Sequence, residues 1–167
     1  MRMGLLSDTH DHTAAMFAGL MALQARGVDF ILHCGDIGSE SCIDLLVGIP
    51  SAFVWGNCDW DRANLGRYAQ SVGVSCHGNF GDLVLADRKI ALIHGDDEAL
   101  KRRLLDANEH DYLFQGHTHV HADSRAGRTR VVNPGALFRA SEKTVAVLNL
   151  SNDQLQFLHV EVPPLRR

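Results

Sequence analysis

The chain has 167 residues, of which 46% are apolar, a formal charge of −4 and ten histidines. At that length one domain spanning residues 1–167 is expected, with enough apolar content for a core. No basic block offers a surface for nucleic-acid phosphates, and no apolar run approaches the roughly 18 residues that a membrane-spanning helix needs.

Met1–Leu6 reads as a short buried strand, followed by the loop Ser7–His12. Thr13 can cap a helix over Ala14–Ala25 with Phe17, Leu20, Met21 and Ala25 on one face, and Gly27 ends it. Val28–His33 reads as a second strand leading to Cys34-Gly35-Asp36. Ser39 or Ser41 then starts a helix with Ile43, Leu46 and Val47 inward, closed by Pro50. Ala52–Trp55 is a third strand before Gly56-Asn57-Cys58-Asp59, and Arg62–Ser71 is helical.

From Val72 the style changes. Val74–Cys76, Leu83–Ala86 and Lys89–Ile93 read as strands, the last two joined through a turn at Ala86-Asp87-Arg88. His94-Gly95 follows. Asp96 or Asp97 caps a helix over Glu98–Ala107 that turns Leu100, Leu104 and Ala107 to one face. Tyr112–Gln115 is a strand before Gly116-His117-Thr118-His119. Strands over Thr129–Val132, Thr144–Leu150 and Gln154–Val162 complete the chain, and the tail 163–167 is expected to fray. Strand and helix alternate early and strands dominate late, which suggests two sheets with helices outside.

The four cysteines form no Cys-x-x-Cys pair, so reduced thiols in a cytoplasmic protein are expected. The N-terminal apolar run meets Ser7 and Asp8 too early for a secretory leader. A homo-oligomer is left open.

Five of these loops share one design. Each follows an apolar run and opens with residues that bind metals: Asp8/His10, Asp36, Asn57, His94 and His117/His119. In an extended stretch, residues two apart point to one side, so His117 and His119 can face one point. Gly35, Gly56, Gly95 and Gly116 adjoin the ligands and permit sharp exits and close approach. Open α/β sheets bind ligands at the carboxyl ends of their strands. Seven such side chains exceed the usual four ligands of one zinc and suit two ions sharing a carboxylate. Imidazole and carboxylate together favour Mn, Fe, Zn, Ni or Co over Ca or Mg.

Asp8-Thr9-His10, Gly35-Asp36, Gly56-Asn57-Cys58-Asp59, His94-Gly95 and Gly116-His117-Thr118-His119 together resemble the signature of the calcineurin-like metallophosphoesterases. The length and the Gly-Asn-Cys-Asp variant are similar to the small bacterial and archaeal phosphodiesterase branch and to the retromer subunit of eukaryotes. Asn133-Pro134-Gly135 adds to the likeness, with Ala136 where that branch often carries Ser.

The resemblance implies a four-layer α/β/β/α sandwich of two mixed β-sheets flanked by helices. It implies one ion held by Asp8, His10, Asp36 and His119, and a second by Asp36, Asn57, His94 and His117, with Asp36 bridging. The implied activity is hydrolysis of a small phosphoester, most of all a phosphodiester, by in-line attack of a hydroxide shared by the two metals. With the charges of Asp8, Asp36 and the hydroxide included, such a site carries about +1 and complements a phosphodiester monoanion. Classical members have His where this chain has Cys58, and that His helps protonate the leaving group.

Asp59 reads either as an orienting carboxylate in catalysis or as a helix cap. His33 reads as a core histidine and His12 as a contact near the site. Arg62, Arg102 and Arg139 read as surface residues. Two alternatives are weighed. A protein-binding scaffold of the same fold would be free to lose ligands, and all seven are present. A metallo-β-lactamase-like hydrolase needs His-x-His-x-Asp-His, which Thr9–Ala14 does not supply.

Overall fold

A computed structural model describes residues 1–162; the expected frayed tail, 163–167, lies outside the described residues. The elements are β1 (Arg2–Leu6), α1 (Thr13–Gln24), β2 (Phe30–His33), α2 (Glu40–Asp44), β3 (Ser51–Phe53) and α3 (Arg62–Ser71). They continue as β4 (Ser75–Cys76), β5 (Phe80–Leu85), β6 (Arg88–Ile93), α4 (Glu98–Ala107), β7 (Tyr112–Phe114), β8 (Ala122–Ala126), β9 (Thr129–Asn133), β10 (Thr144–Asn149) and β11 (Gln154–His159).

One sheet has the order β11-β10-β1-β2-β3-β4 and the other β5-β6-β7-β9-β8. Within the first, β1 to β4 run parallel while β10 and β11 are antiparallel. In the second, β6, β7 and β9 run parallel between antiparallel edges.

Strand side chains alternate between faces, and that alternation builds the layers. Met3 and Leu5 of β1 join Leu32, Ile90, Leu92, Phe114, Val132 and Leu148 in the core between the sheets. Leu6 faces the other way, into the core under α1, α2 and α3. On β6, Ile90 and Leu92 face the first sheet, whereas Ala91 and Ile93 face Leu100, Leu104 and Leu105 of α4. The result is the expected four layers: helices, sheet, sheet, helix.

Several local expectations need correction. Helix α1 buries Ala15, Met16, Gly19, Leu20 and Leu23, while Phe17 and Met21 are half exposed. The helix is apolar nearly all round, so its pattern could not fix the rotation. Contact does: a Cβ at Gly19 would lie 3.1 Å from Val145, so this glycine lets the helix sit close on β10. The residue before α1 is His12, and no side chain caps it. Val47 is exposed rather than inward. On α4, Leu105 takes the inner place expected of Ala107, and Asp97 is the cap, accepting from the Leu100 amide at 2.9 Å. Strand β8 gave no apolar signal because it is an edge strand with four of five residues exposed. In the β5–β6 turn, Ala86 and Asp87 both take left-handed φ, 49° and 59°, as a two-residue hairpin turn demands.

Candidate metal centre

All five expected loops leave the carboxyl ends of parallel strands: β1, β2 and β3 in one sheet, β6 and β7 in the other. Parallel pairing puts those ends on one edge of the sandwich. Contacts between the loops cross from sheet to sheet. The His117 amide donates to Oδ2 of Asp8 at 3.1 Å, and Nδ1 of His94 lies 2.8 Å from the Cys34 carbonyl.

Imidazoles and carboxylates converge there. Nε2 of His10 and Nε2 of His94 each stand 3.4 Å from Oδ2 of Asp36. Nε2 of His119 is 3.1 Å from Oδ1 of Asp8, and Nε2 of His94 is 3.0 Å from Oδ1 of Asn57. Donor atoms of Asp8/His10/His119, of His10/Asp36/Cys58 and of Asp8/Asp36/His94 form three sets, each within 4.8 Å. The exposed His117 belongs to none of these sets. Its ring instead packs edge-on against His94 at 5.1 Å.

Strain is concentrated at these residues. Asp8, His10, Asp36, His117 and His119 have φ of 54°, 46°, 55°, 68° and 60°. Non-glycine residues avoid that region, at a cost of about 1–3 kcal/mol each. Glycine makes room where backbone meets ligand. A Cβ at Gly35 would stand 2.7 Å from Nδ1 of His94, and one at Gly116 would stand 2.6 Å from Oδ2 of Asp8.

The residues fit a cation. Oδ1 of the fully buried Asp8 and Nε2 of His10 are buried without a hydrogen-bond partner among the described residues. Unsatisfied buried polar atoms are costly, and both belong to one cluster of oxygen and imidazole donors. The charge balance agrees. Burial opposes the Asp36 carboxylate, yet His94 and the Cys58 amide, which donates at 2.7 Å, hold its pKa down at about 2. Burial likewise opposes the His94 imidazolium, but Asp36 and Asp8 raise it to about 9. The pocket asks for positive charge.

The surrounding residues hold the loops. Asp59 does not cap a helix, since Asp61 precedes α3. Its buried carboxylate accepts amides from Asp36 at 3.0 Å, Gly38 at 3.0 Å and Gly56 at 2.8 Å. Arg62 is not a free surface residue. Its guanidinium donates to the carbonyls of Asp59 and Gly56 at 2.9 and 2.7 Å and to Asn79 at 2.9 Å. Buried Asn133 donates to the Gly116 carbonyl at 2.7 Å and to Thr118 at 3.0 Å, fixing the loop of His117 and His119. Only the Asn-Pro-Gly string pointed to Asn133, and nothing in the sequence signalled its two acceptors.

His33 is a core histidine. Nδ1 accepts the Gly35 amide and Nε2 meets Thr9 at 2.7 Å; burial drops its pKa to about 3 and keeps it neutral. His12 is exposed and stacks on Phe138 at 3.8 Å. Arg102 is exposed, and Arg139 lies over Phe138 while its carbonyl faces Nδ1 of His119 at 3.3 Å.

A family model described as a calcineurin-like phosphoesterase superfamily domain matches residues 1–153. The chain is 25% identical over 138 residues to phosphodiesterase MJ0936 of Methanocaldococcus jannaschii, covering 81% of this chain and 83% of that one. Its fold is similar to that of an archaeal phosphodiesterase, with TM-score 0.88 and 22% identity over 96% of this chain and 100% of the other. It is also similar in fold to wild-type Vps29 of Entamoeba histolytica complexed with zinc, with TM-score 0.68 and 18% identity over 98% and 100% of the two chains.

Proposed function

The chain belongs to the calcineurin-like phosphoesterase superfamily, and from that premise we propose that it is a dinuclear metal-dependent phosphodiesterase acting on a small phosphoester. Asp8, His10, Asp36 and His119 would hold one divalent transition ion, Mn, Fe, Zn, Ni or Co. Asp36, Asn57, His94 and His117 would hold the other, with Asp36 shared. The observation that carries this reading is the pair of buried atoms without a hydrogen bond, Oδ1 of Asp8 and Nε2 of His10, crowded against His119 and Asp36.

Ions held by these residues would supply Lewis-acid charge for a phosphoryl oxygen and for a bound water. The chain's own residues set the stage for that. Asp36 lies between His10 and His94, equidistant at 3.4 Å, which supports the shared role. The Cys34 carbonyl orients the ring of His94 through Nδ1 and leaves Nε2 facing the cluster, the arrangement that second-shell partners give metal-binding histidines. Asp59 is a positioning residue, since its carboxylate is consumed by three amides. Cys58 lines the cavity beside His10 and Asp36, where classical members carry an acid. Burial and then Asp36 raise its pKa, so it is a protonated but weak donor at neutral pH.

The scaffold alternative gains a likeness in fold to Vps29. Backbone strain at five of the expected ligands and the likeness to a phosphodiesterase of Methanocaldococcus jannaschii support the enzyme reading. No described helix is long and apolar enough to cross a membrane. Four free cysteines fit a reducing compartment, the cytoplasm.

The test is metal analysis of the purified protein, followed by chelation and Mn²⁺ add-back against phosphodiesters and phosphomonoesters. About two ions per chain and restored diester hydrolysis are expected. Full activity after complete chelation would overturn the reading.

A further inference from the structure

Trp60 is 87% exposed, the most exposed of the large apolar side chains among the described residues. Leaving an indole in water forfeits more burial energy than leaving any aliphatic side chain there, so its position invites a reason. It lines a cavity of about 240 Å³ together with His10, Asp11, Asp36, Cys58 and Asp59. The same concave surface therefore holds expected metal ligands at one point and a bare aromatic face at another.

The loop that carries Trp60 is fixed. Asp59, its neighbour, is pinned by three amides, and Arg62 binds the carbonyls of Asp59 and Gly56. The backbone that carries the indole is thus braced, and a ligand need order only the side chain itself. The other aromatic groups near the site are already engaged. Phe138 is stacked on His12 and lies under Arg139, and Trp55 is buried. A smaller cavity beside His94, about 110 Å³, is lined by Arg62, Asn79, Asp96 and Asp97, and its one aromatic residue, Trp55, is buried and offers no open ring face.

Resting on the phosphodiesterase reading above, we infer that Trp60 is a stacking platform for a planar group, a nucleobase or an aryl ring, carried by the phosphoester. The phosphorus would lie toward His10 and Asp36, and the planar group along the indole. This names a substrate class for the site: phosphoesters bearing an aromatic ring rather than simple alkyl esters.

The test uses the full-length Mn²⁺-loaded protein and its Trp60→Ala and Trp60→Phe variants. Inhibition of bis-p-nitrophenyl phosphate hydrolysis is measured with AMP, phenyl phosphate and methyl phosphate. Trp60→Ala should raise the inhibition constants of AMP and phenyl phosphate about tenfold, as loss of one stacked ring does, and leave that of methyl phosphate unchanged. Trp60→Phe should recover most of the loss. If AMP alone is affected, the ligand is a nucleobase ester; if both respond, any aryl group serves. A parallel titration follows tryptophan fluorescence on adding AMP, and the quenching should vanish in Trp60→Ala. Equal shifts for all three inhibitors, or none, would overturn the inference. Absent hydrolysis with intact, Trp60-dependent quenching would instead refute the phosphodiesterase reading and leave the platform standing.

Discussion

Gly56 faces the carboxylate of Asp36 so closely that a Cβ built on it would stand 2.7 Å from Cγ of Asp36 and nearer still to Oδ1. The Cys58 amide, two residues on, donates to the same Oδ1 at 2.7 Å. The loop after β3 therefore sets the position of the carboxylate after β2. Gly56→Ala should move Asp36 and lower Mn²⁺ affinity by about 10–100-fold, the usual effect of disturbing a ligand's support. Calorimetric titration of Mn²⁺, with circular dichroism confirming the fold, checks this; unchanged affinity would remove Gly56 from the account.

Asp36 and Asp8 should differ as ligands. Asp36 stands between His10 and His94, while Asp8 makes its shortest such approach to His119. Asp36→Asn is expected to leave close to no bound ion, and Asp8→Asn about one. Elemental analysis after gel filtration distinguishes them. Two ions retained in Asp36→Asn would show that this carboxylate is not shared.

Cys58 should limit the substrate range. Imidazole titrates near pH 6.5 and gives up a proton to a departing alkoxide far better than a thiol does, and such help is worth about 10²–10⁴-fold. Wild type should show a steep dependence of log kcat on leaving-group pKa, and Cys58→His a flatter one. Equal slopes would return Cys58 to the role of a small half-buried thiol.

A charge cluster far from the site should govern acid stability. Asp153, in the β10–β11 turn of one sheet, accepts from Tyr112 at 2.8 Å and Arg125 at 2.6 Å and pairs with Arg130 at 2.8 Å, all three on the other sheet. Burial opposes the charge on Asp153, but Tyr112 and Arg130 hold its pKa below the ordinary carboxylate value. A depressed carboxylate contributes stability above its unfolded pKa, near 3.9, and loses it as pH falls through the folded value. Asp153→Asn should lower stability by roughly 1 kcal/mol at pH 7, a modest figure because the group is partly exposed. The gap in Tm between wild type and variant should close below about pH 4. A gap that persisted at pH 2.5 would mean that packing, not charge, is at work.

The four-layer fold was legible in the sequence, and so were the five loops of the candidate site. Asp8, His10, Asp36, His94 and His119 come together at the strand exits, but not through the extended geometry expected, since Asp8, His10, His117 and His119 all take left-handed φ and His117 turns out of the donor sets. Helix α1 was misread because Phe17, Met21, Leu20 and Leu23 are equally apolar, and only the closeness of Gly19 to Val145 sets its rotation. Strand β8 was invisible because backbone pairing with β9, not burial, holds it. The bracing by Arg62 and Asn133 was hidden too, since both bind backbone carbonyls that no sequence pattern displays.

The amide of His117 and the carboxylate of Asp8 meet across 109 positions of chain. Closing so long a loop costs entropy before any contact repays it. The ligand set is thus complete only when loops of both sheets stand side by side. A chain with only its first three strands and helices formed would present Asp8, His10 and Asp36 without their partners from β6 and β7. Metal uptake during refolding would then trail the formation of secondary structure and keep time with sheet docking, so the ion would act as a clock for completion of the fold rather than as its seed.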